Sequence, residues 1–482
     1  MTTPAGKVQQ AVAPGLLQAL VCFLGILAII SCGLFLIGVD LHSLLFVCLF
    51  WTGCHVIWLG HSANDLRSMM SVAISRALPA LYIFMLIGLV IAAFMHSGTI
   101  ASLMYFGLGW LSPTLFLPIG LVLCAIMSLA TGTAWGTAGT LGLVFMGIGS
   151  SLGLPPALTA GMVVCGATFG DKMSAVSDTT NLAAMSAGTS LYRHIYSMLF
   201  TTVPTFVFTL LVFTWLGASN DGSVSAAVDV DTLRTGLSAS YRLTPWITLL
   251  PLALLFVLSV RRVPAEITMS LSIFVAVLIA CLYQGTDLAL VLNALWQNQP
   301  GQTGVGNLDE LLGRGGLASM SWTLLLALQA LALGGLLHGA RILDRLLQDI
   351  ITRVRRTGSL VASTIVAGVM GNFAMGEAYI TIILNCQLFG KKYAEAGLDA
   401  AVLSRSVEEG STLTTGLIPW TTAGAFYSAT LGVAVLDYLP YALFNYMNGI
   451  VAIAMASLGW GLLRPRESDS QSQADQVVDK PQ

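Results

Sequence analysis

Charge is scarce in this sequence. Asp, Glu, Lys and Arg together make up 9% of its 482 residues, against roughly a quarter in soluble domains. With 56% hydrophobic residues and a mean hydropathy of +0.83, a water-soluble enzyme is excluded. An excess of positive charge is missing too. The 21 Lys and Arg against 23 Asp and Glu give a net charge of -2, which excludes a nucleic-acid partner, because phosphate binding needs a basic surface. The eight cysteines lie in apolar stretches without the short paired spacings of zinc sites or of a disulfide framework. No His/Glu metal pair or nucleophile motif suggests membrane catalysis, so neither an enzyme nor a cofactor is expected.

Apolar runs are abundant instead. A helix needs about 20 mostly apolar residues to cross a hydrocarbon core. Such runs recur at 15–38, 43–61, 77–95, 113–131, 195–217, 245–260, 264–283, 320–339, 359–385 and 440–462. They predict an all-α polytopic membrane protein of about 10–13 transmembrane helices. Residues 1–14 read as a cytoplasmic N-terminal segment and 463–482 as a disordered cytoplasmic tail. Stretches 131–190 and 371–430 stay apolar but fill with Gly, Thr, Ser and acids. Irregular backbone at membrane depth is tolerated only where it is buried in protein or lines a wet cavity. These stretches therefore read as the interior, with broken or re-entrant helices at its centre.

An offset of 240 residues superposes Ala134 on Ala374, Gly136 on Gly376 and Gly170 on Gly410. It divides the chain into a first transmembrane repeat at 15–217, an extracytoplasmic loop at 218–244 and a second repeat at 245–462. Short cytoplasmic loops collect Lys and Arg. Residues 99–116 carry no positive charge, whereas the counterpart segment carries Arg341, Arg345, Arg353, Arg355 and Arg356. Conversely, Arg67 and Arg76 answer to a segment with Asp309, Glu310 and only Arg314. Equivalent loops thus prefer opposite sides, the pattern of an inverted-topology repeat whose ligand site lies near the midplane. Both termini are then expected on the cytoplasmic side.

Four motifs carry chemistry. TGTAWGTAGT (131–140) sets Thr133 and Thr137 among Gly132, Gly136 and Gly139. Its hydroxyls and freed carbonyls suit a small hard cation such as Na+, although Gly132 and Gly136 also read as a helix-packing seam. GATFGDKMSAVSDTTNL (166–182) holds Asp171 and Asp178 among Ser174, Ser177 and Thr179. A carboxylate at membrane depth costs at least about 2.5 kcal/mol on insertion scales, so it needs a partner or a purpose. The bland alternatives are an Asp171–Lys172 surface pair and an Asp178 cap on a helix starting at Thr179. GNFAMGEAY (371–379) buries Asn372 and Glu377, the latter either functional or the partner of Arg405. In LSRSVEEGSTLTTGLIPWTTAGAF (403–426), Arg405, Glu408 and Glu409 precede Thr412, with Arg405 and Glu409 spaced for a helical ion pair. Trp420 suits a membrane interface.

Together these segments resemble the NhaC family of Na+/H+ antiporters. Members carry a GT-rich break, a Gly-Asp followed by Ser-Pro and Ser-Asp-Thr-Thr, a Leu-Ser-Arg with two acids, and a Pro-Trp. Here they read GTAWGTAGT, GDKMSAVSDTT, LSRSVEE and LIPW. The departures are Ala175 and Gly416 where prolines are expected, and Thr421 where an Asn usually follows Pro-Trp. The resemblance implies exchange of Na+ for H+ by alternating access across a bacterial cytoplasmic (inner) membrane. Its partners are these ions and the lipid bilayer, and a homodimer is compatible with it. Asp171 is the first choice for the carboxylate that trades proton for cation, with Asp178 second. Thr133, Thr137, Ser174, Ser177 and Thr179 complete the oxygen shell. Asn372, Glu377, Arg405, Glu408, Glu409 and Thr412 form a polar site from the second half. The family also covers members that move organic acids or amino acids with Na+. The alternative is therefore a Na+-coupled carrier of a small organic solute, with Asn372, Glu377, Arg405 and Trp135 lining the solute site.

Overall fold

The computed structural model describes residues 13–110, 113–219, 230–261, 263–301, 309, 312–353 and 356–465. Nearly all of the segments read as 1–14 and 463–482, and residues 220–229 of the loop, lie outside these. Every regular element among the described residues is helical. Six helices are long and apolar enough to cross a bilayer: Leu16–Leu34, Leu41–Trp58, Thr114–Thr131, Leu191–Ser219, Leu317–Gly339 and Thr357–Met375. Two bent pairs raise the number to eight, Leu81–His96 with Thr99–Gly107 at 67° and Val435–Tyr441 with Leu443–Ser457 at 55°. Apolar stretches beyond these eight fold as shorter helices such as Leu250–Val260 and Glu266–Leu282. Composition alone did not separate them from full spans. The segment expected as an extracytoplasmic loop contains the helix Val230–Ser240.

Polarity is distributed inside out. Phe50 is 71% exposed and Trp215 66%, whereas Lys172, Arg405, Glu408 and Glu409 are fully buried. A large apolar outer surface is stable only against lipid, and buried polar groups must find partners within the fold. The chain is an integral membrane protein.

Helix boundaries recur at an offset of 244 residues. That shift carries Pro113–Thr131 onto Thr357–Met375 and Asp178–Ala187 onto Thr422–Leu431. It also carries the starts of Pro156–Met173 and Leu191–Ser219 onto those of Ala400–Gly410 and Val435–Tyr438. Gly132, at φ 69°, falls on Gly376, at φ 65°. The helix cap Thr133 (φ -144°, ψ 117°) falls on the cap Glu377 (φ -148°, ψ 130°). The register of 240 taken from identities is therefore corrected, and Glu377 answers to Thr133 rather than Thr137. Backbone punctuation carries the correspondence because a left-handed turn and an extended cap fix where a helix stops and restarts, whatever side chains follow.

Two contacts place the central breaks. The helix Pro156–Met173 lies directly on Pro113–Thr131, and a Cβ on Gly170 would stand 2.3 Å from the Ala125 carbonyl oxygen. The Ser128 hydroxyl donates to the Ala167 carbonyl at 2.6 Å across the same seam. Beyond Met173 the chain leaves the helix through Ser174–Ser177 and re-enters it at Asp178. The Ser174 hydroxyl donates to the Leu129 carbonyl at 2.8 Å, which ties the break to its neighbour.

Candidate functional site

Both halves converge on a cavity of about 1070 Å³. From the first half it is lined by Thr133, Trp135, Asp171, Ser177, Asp178 and Thr179, and from the second by Glu266, Glu377, Tyr379, Thr412, Thr422 and Tyr427. Asp171 stands on the last turn before the break. The Ser177 side chain and the Ala134 N–H interact with its carboxylate. The chain doubles back through Ser174–Ser177, so a hydroxyl six residues onward faces Asp171. Ser177 and Thr179 hydroxyls lie 3.2 Å apart.

Asp178 is the first residue of its helix, with Ser177 as the cap residue and no side-chain capping bond. The expectation that Asp178 caps a helix starting at Thr179 is thereby corrected. Asp178 is exposed and lines the cavity, with Glu266 as its electrostatic neighbour. Glu377 lies at the buried end, 3% exposed. Its carboxylate accepts from the Thr422 hydroxyl at 2.8 Å and from the Tyr379 N–H at 3.3 Å. The Tyr379 phenol lies within electrostatic reach of Asp178, Glu377 and Asp171.

Several residues singled out in the sequence lie elsewhere. Thr137 is fully buried and donates to the Thr133 carbonyl at 3.1 Å, and Ser174 faces Leu129. Neither lines the cavity. The Asn372 amide donates to the Ser411 carbonyl at 2.6 Å and the Thr414 hydroxyl at 3.0 Å, fastening two helices together. Arg405 is not the partner of Glu377 and does not reach the cavity. Its guanidinium donates to the Ser197 and Gly461 carbonyls at 3.1 and 2.9 Å and sits 3.9 Å from Glu409. The helical pair expected from the spacing is present, because four residues is one turn. Trp420 is buried rather than interfacial, and its indole N–H donates to the Phe373 carbonyl at 3.0 Å.

Glu408 and Glu409 belong to a sealed cluster that joins the halves. Lys172 Nζ is 3.7 Å from Glu408 Oε2, and His194 Nε2 is 3.4 Å from the same oxygen. The Thr201 hydroxyl donates to Glu409 Oε1 at 2.5 Å. All four charged or titratable side chains, Lys172, His194, Glu408 and Glu409, are fully buried. Lys172 therefore turns away from Asp171 into this cluster, which corrects the adjacent-pair alternative. Sequence reasoning missed His194, Glu266, Tyr379, Thr422 and Tyr427, and it named Lys172 only as a surface partner of Asp171. Glu266 carried a usable signal, a lone acid within the apolar run 264–283. The aromatics carried none, since rings in an apolar helix read as packing.

A lipid-facing helical bundle wrapped around a polar cavity at two helix breaks is the build of a membrane transporter. Residues 166–460 match the Na+/H+ antiporter family. The chain is 37% identical over 437 residues to the Na(+)/H(+) antiporter NhaC of Alkalihalophilus pseudofirmus, spanning 90% of this chain and 94% of that protein. It is 32% identical to the arginine/ornithine antiporter ArcD of Halobacterium salinarum, over 95% of this chain and 96% of that one. It is also 32% identical to the malate-2H(+)/Na(+)-lactate antiporter of Bacillus subtilis, over 83% and 84%. The chain belongs to the Na+/H+ antiporter family, and its kind is a transporter rather than an enzyme.

Proposed function

We propose that this protein exchanges Na+ for H+ by alternating access, with Asp171 as the carboxylate that holds either a proton or the cation. The observation that carries this reading is the position of Asp171 at the edge of a helix break, opening onto a cavity lined by both halves. A sequestered carboxylate is costly when bare, so it is occupied by a proton or by a positive ion. Competition for one group couples the two fluxes. Ser177, Thr133 and Thr179 supply neutral oxygens beside it, and Asp178 receives the ion near the mouth. The recurrence at 244 residues, together with the opposed loop charges, supports two halves of inverted topology related across this site. The same charges support both termini inside, and the bacterial relatives support a bacterial cytoplasmic membrane.

In proteoliposomes holding the full chain, a Na+ gradient should drive proton movement, and Asp171→Asn should abolish it while the protein still elutes as a folded species. Full Na+-driven proton flux in Asp171→Asn would remove this residue from the mechanism.

The size of the cavity favours a second reading, a carrier that moves a small organic solute with or against Na+. About 1070 Å³ lies just above the roughly 300–1,000 Å³ typical of small-molecule sites. The named activities of two relatives include organic solutes.

A further inference from the structure

The 244-residue correspondence of the helices carries part of the cavity lining onto itself. Thr133 answers to Glu377 and Asp171 to Thr415, and all four line the same space. Thr168 and the exposed Asp178 likewise answer to Thr412 and Thr422, which line it too. Each break therefore offers an interior carboxylate among hydroxyls, with acid and hydroxyl exchanged between two positions. In the first half the acid, Asp171, stands in the last turn of a helix and the hydroxyl residue, Thr133, caps another. In the second half the acid, Glu377, is the cap and the hydroxyl residue, Thr415, ends a helix.

The second set has the chemistry of a cation site. Glu377 is 3% exposed and forms no ion pair among the described residues. Both of its oxygens accept hydrogen bonds, Oε1 from the Tyr379 N–H and Oε2 from the Thr422 hydroxyl, which is the pattern of an ionised carboxylate. A sequestered charge needs a counter-charge. His338 is the sole basic side chain lining the cavity among the described residues, and its ionic contact is Asp344 at 3.9 Å. Thr412 lines the cavity, and its buried Oγ1 has no hydrogen-bond partner among the described residues. The Thr422 hydroxyl donates to Glu377 and the Thr415 hydroxyl to the Ser411 carbonyl at 2.6 Å, so each keeps lone pairs for a further contact. One negative charge among neutral oxygens beside a helix break suits a hard monovalent cation.

We propose that Glu377, Thr412, Thr415 and Thr422 form a second Na+ site, the counterpart of the one at Asp171, so that each chain holds two Na+ ions. The groups that touch the two acids are separate. Ser177 and the Ala134 N–H interact with Asp171, whereas Thr422 and the Tyr379 N–H serve Glu377, so neither ion has to share a carboxylate with the other. This rests on the transport reading given above for the identity of the cation and adds a second place for it.

Equilibrium binding of radioactive Na+ to the purified full chain in detergent counts the sites. The parent should bind two ions per chain. Asp171→Asn and Glu377→Gln, each eluting as a folded species, should bind one. Thr412→Val deletes an oxygen that has no partner in the fold, a change that costs little stability. It should weaken the binding of one of the two ions severalfold and leave the melting midpoint in place. One ion per chain in the parent, two ions of parental affinity in Glu377→Gln, or parental affinity for both ions in Thr412→Val would each overturn the proposal. Two ions in Asp171→Asn alongside one in Glu377→Gln would overturn the Asp171 reading and keep this one.

Discussion

Lys172 Nζ lies 3.7 Å from Glu408 Oε2, with both side chains fully excluded from solvent. The contact joins the last turn before the first-half break to the helix Ala400–Gly410 of the second half. Removing one member of a buried pair strands the other charge, at about 3–5 kcal/mol, whereas replacing both with apolar groups can be neutral. Lys172→Met and Glu408→Met should each lower the apparent melting midpoint in detergent sharply, and the double variant should recover most of the loss. Single variants as stable as the parent would show that the pair is not what holds these helices together.

Gly132 and Gly188 both adopt left-handed backbone, at φ 69° and 76°, but only the first is crowded. A Cβ on Gly132 would stand 2.9 Å from the Val176 carbonyl carbon and 3.0 Å from the Ser177 nitrogen, while nothing lies within 4 Å of one on Gly188. Each alanine costs roughly 1–2 kcal/mol for the left-handed conformation. Gly132→Ala should in addition displace the segment bearing Ser177 and Asp178, raising half-saturating Na+ severalfold in the vesicle assay. Gly188→Ala should transport with near-parental affinity.

The Thr422 hydroxyl donates to Glu377 Oε2 at 2.8 Å, and both residues are buried. Thr422→Val keeps the shape and deletes the donor. A hydrogen bond is worth about 0.5–1.5 kcal/mol net, rising to about 1.5–3 kcal/mol where one partner is ionised. The variant should unfold earlier by an amount in that range, and Thr422→Ser should restore the parental midpoint. An unchanged midpoint for the valine variant would show that Glu377 draws its support from elsewhere.

The seam between Pro113–Thr131 and Pro156–Met173 gives a packing test. A Cβ on Gly170 would meet the Ala125 carbonyl oxygen at 2.3 Å and the Leu129 nitrogen at 2.5 Å, whereas one on Gly390 meets only Leu403 Cδ2 at 3.9 Å. Overpacking costs about 1–3 kcal/mol or more where backbone must move. Gly170→Ala should reduce the yield of folded protein and lower its melting midpoint, and Gly390→Ala should do neither.

The helical class and the membrane setting were legible in the sequence, because long apolar runs have no other stable home. The acids at Asp171, Asp178 and Glu377 were legible for the same reason, since each stands in an apolar surround where a charge is conspicuous. Partner choice was not. Arg405 read as well against Glu377 as against Glu409, and only the four-residue spacing within one helix favoured the pair that forms. Lys172 beside Asp171 suggested a neighbouring pair, yet successive residues on a helix point about 100° apart, and Lys172 turns into the other half. The repeat was displaced by four residues because a search for matching letters gives no weight to Thr133 against Glu377, which share a backbone shape and no side-chain chemistry.

Four carboxylates lining one cavity, with His338 as a titratable base beside them, have a consequence for voltage. Moving one elementary charge through the full membrane field is worth about 2.3 kcal/mol per 100 mV, and four carboxylates face this cavity. In an alternating-access cycle, a vacant and fully ionised cavity would be pinned by the resting potential, unable to swing its face across. Under the exchange proposed above, a neutralised pit would turn over more readily than a bare one, so proton and cargo would each serve as the other's return ticket.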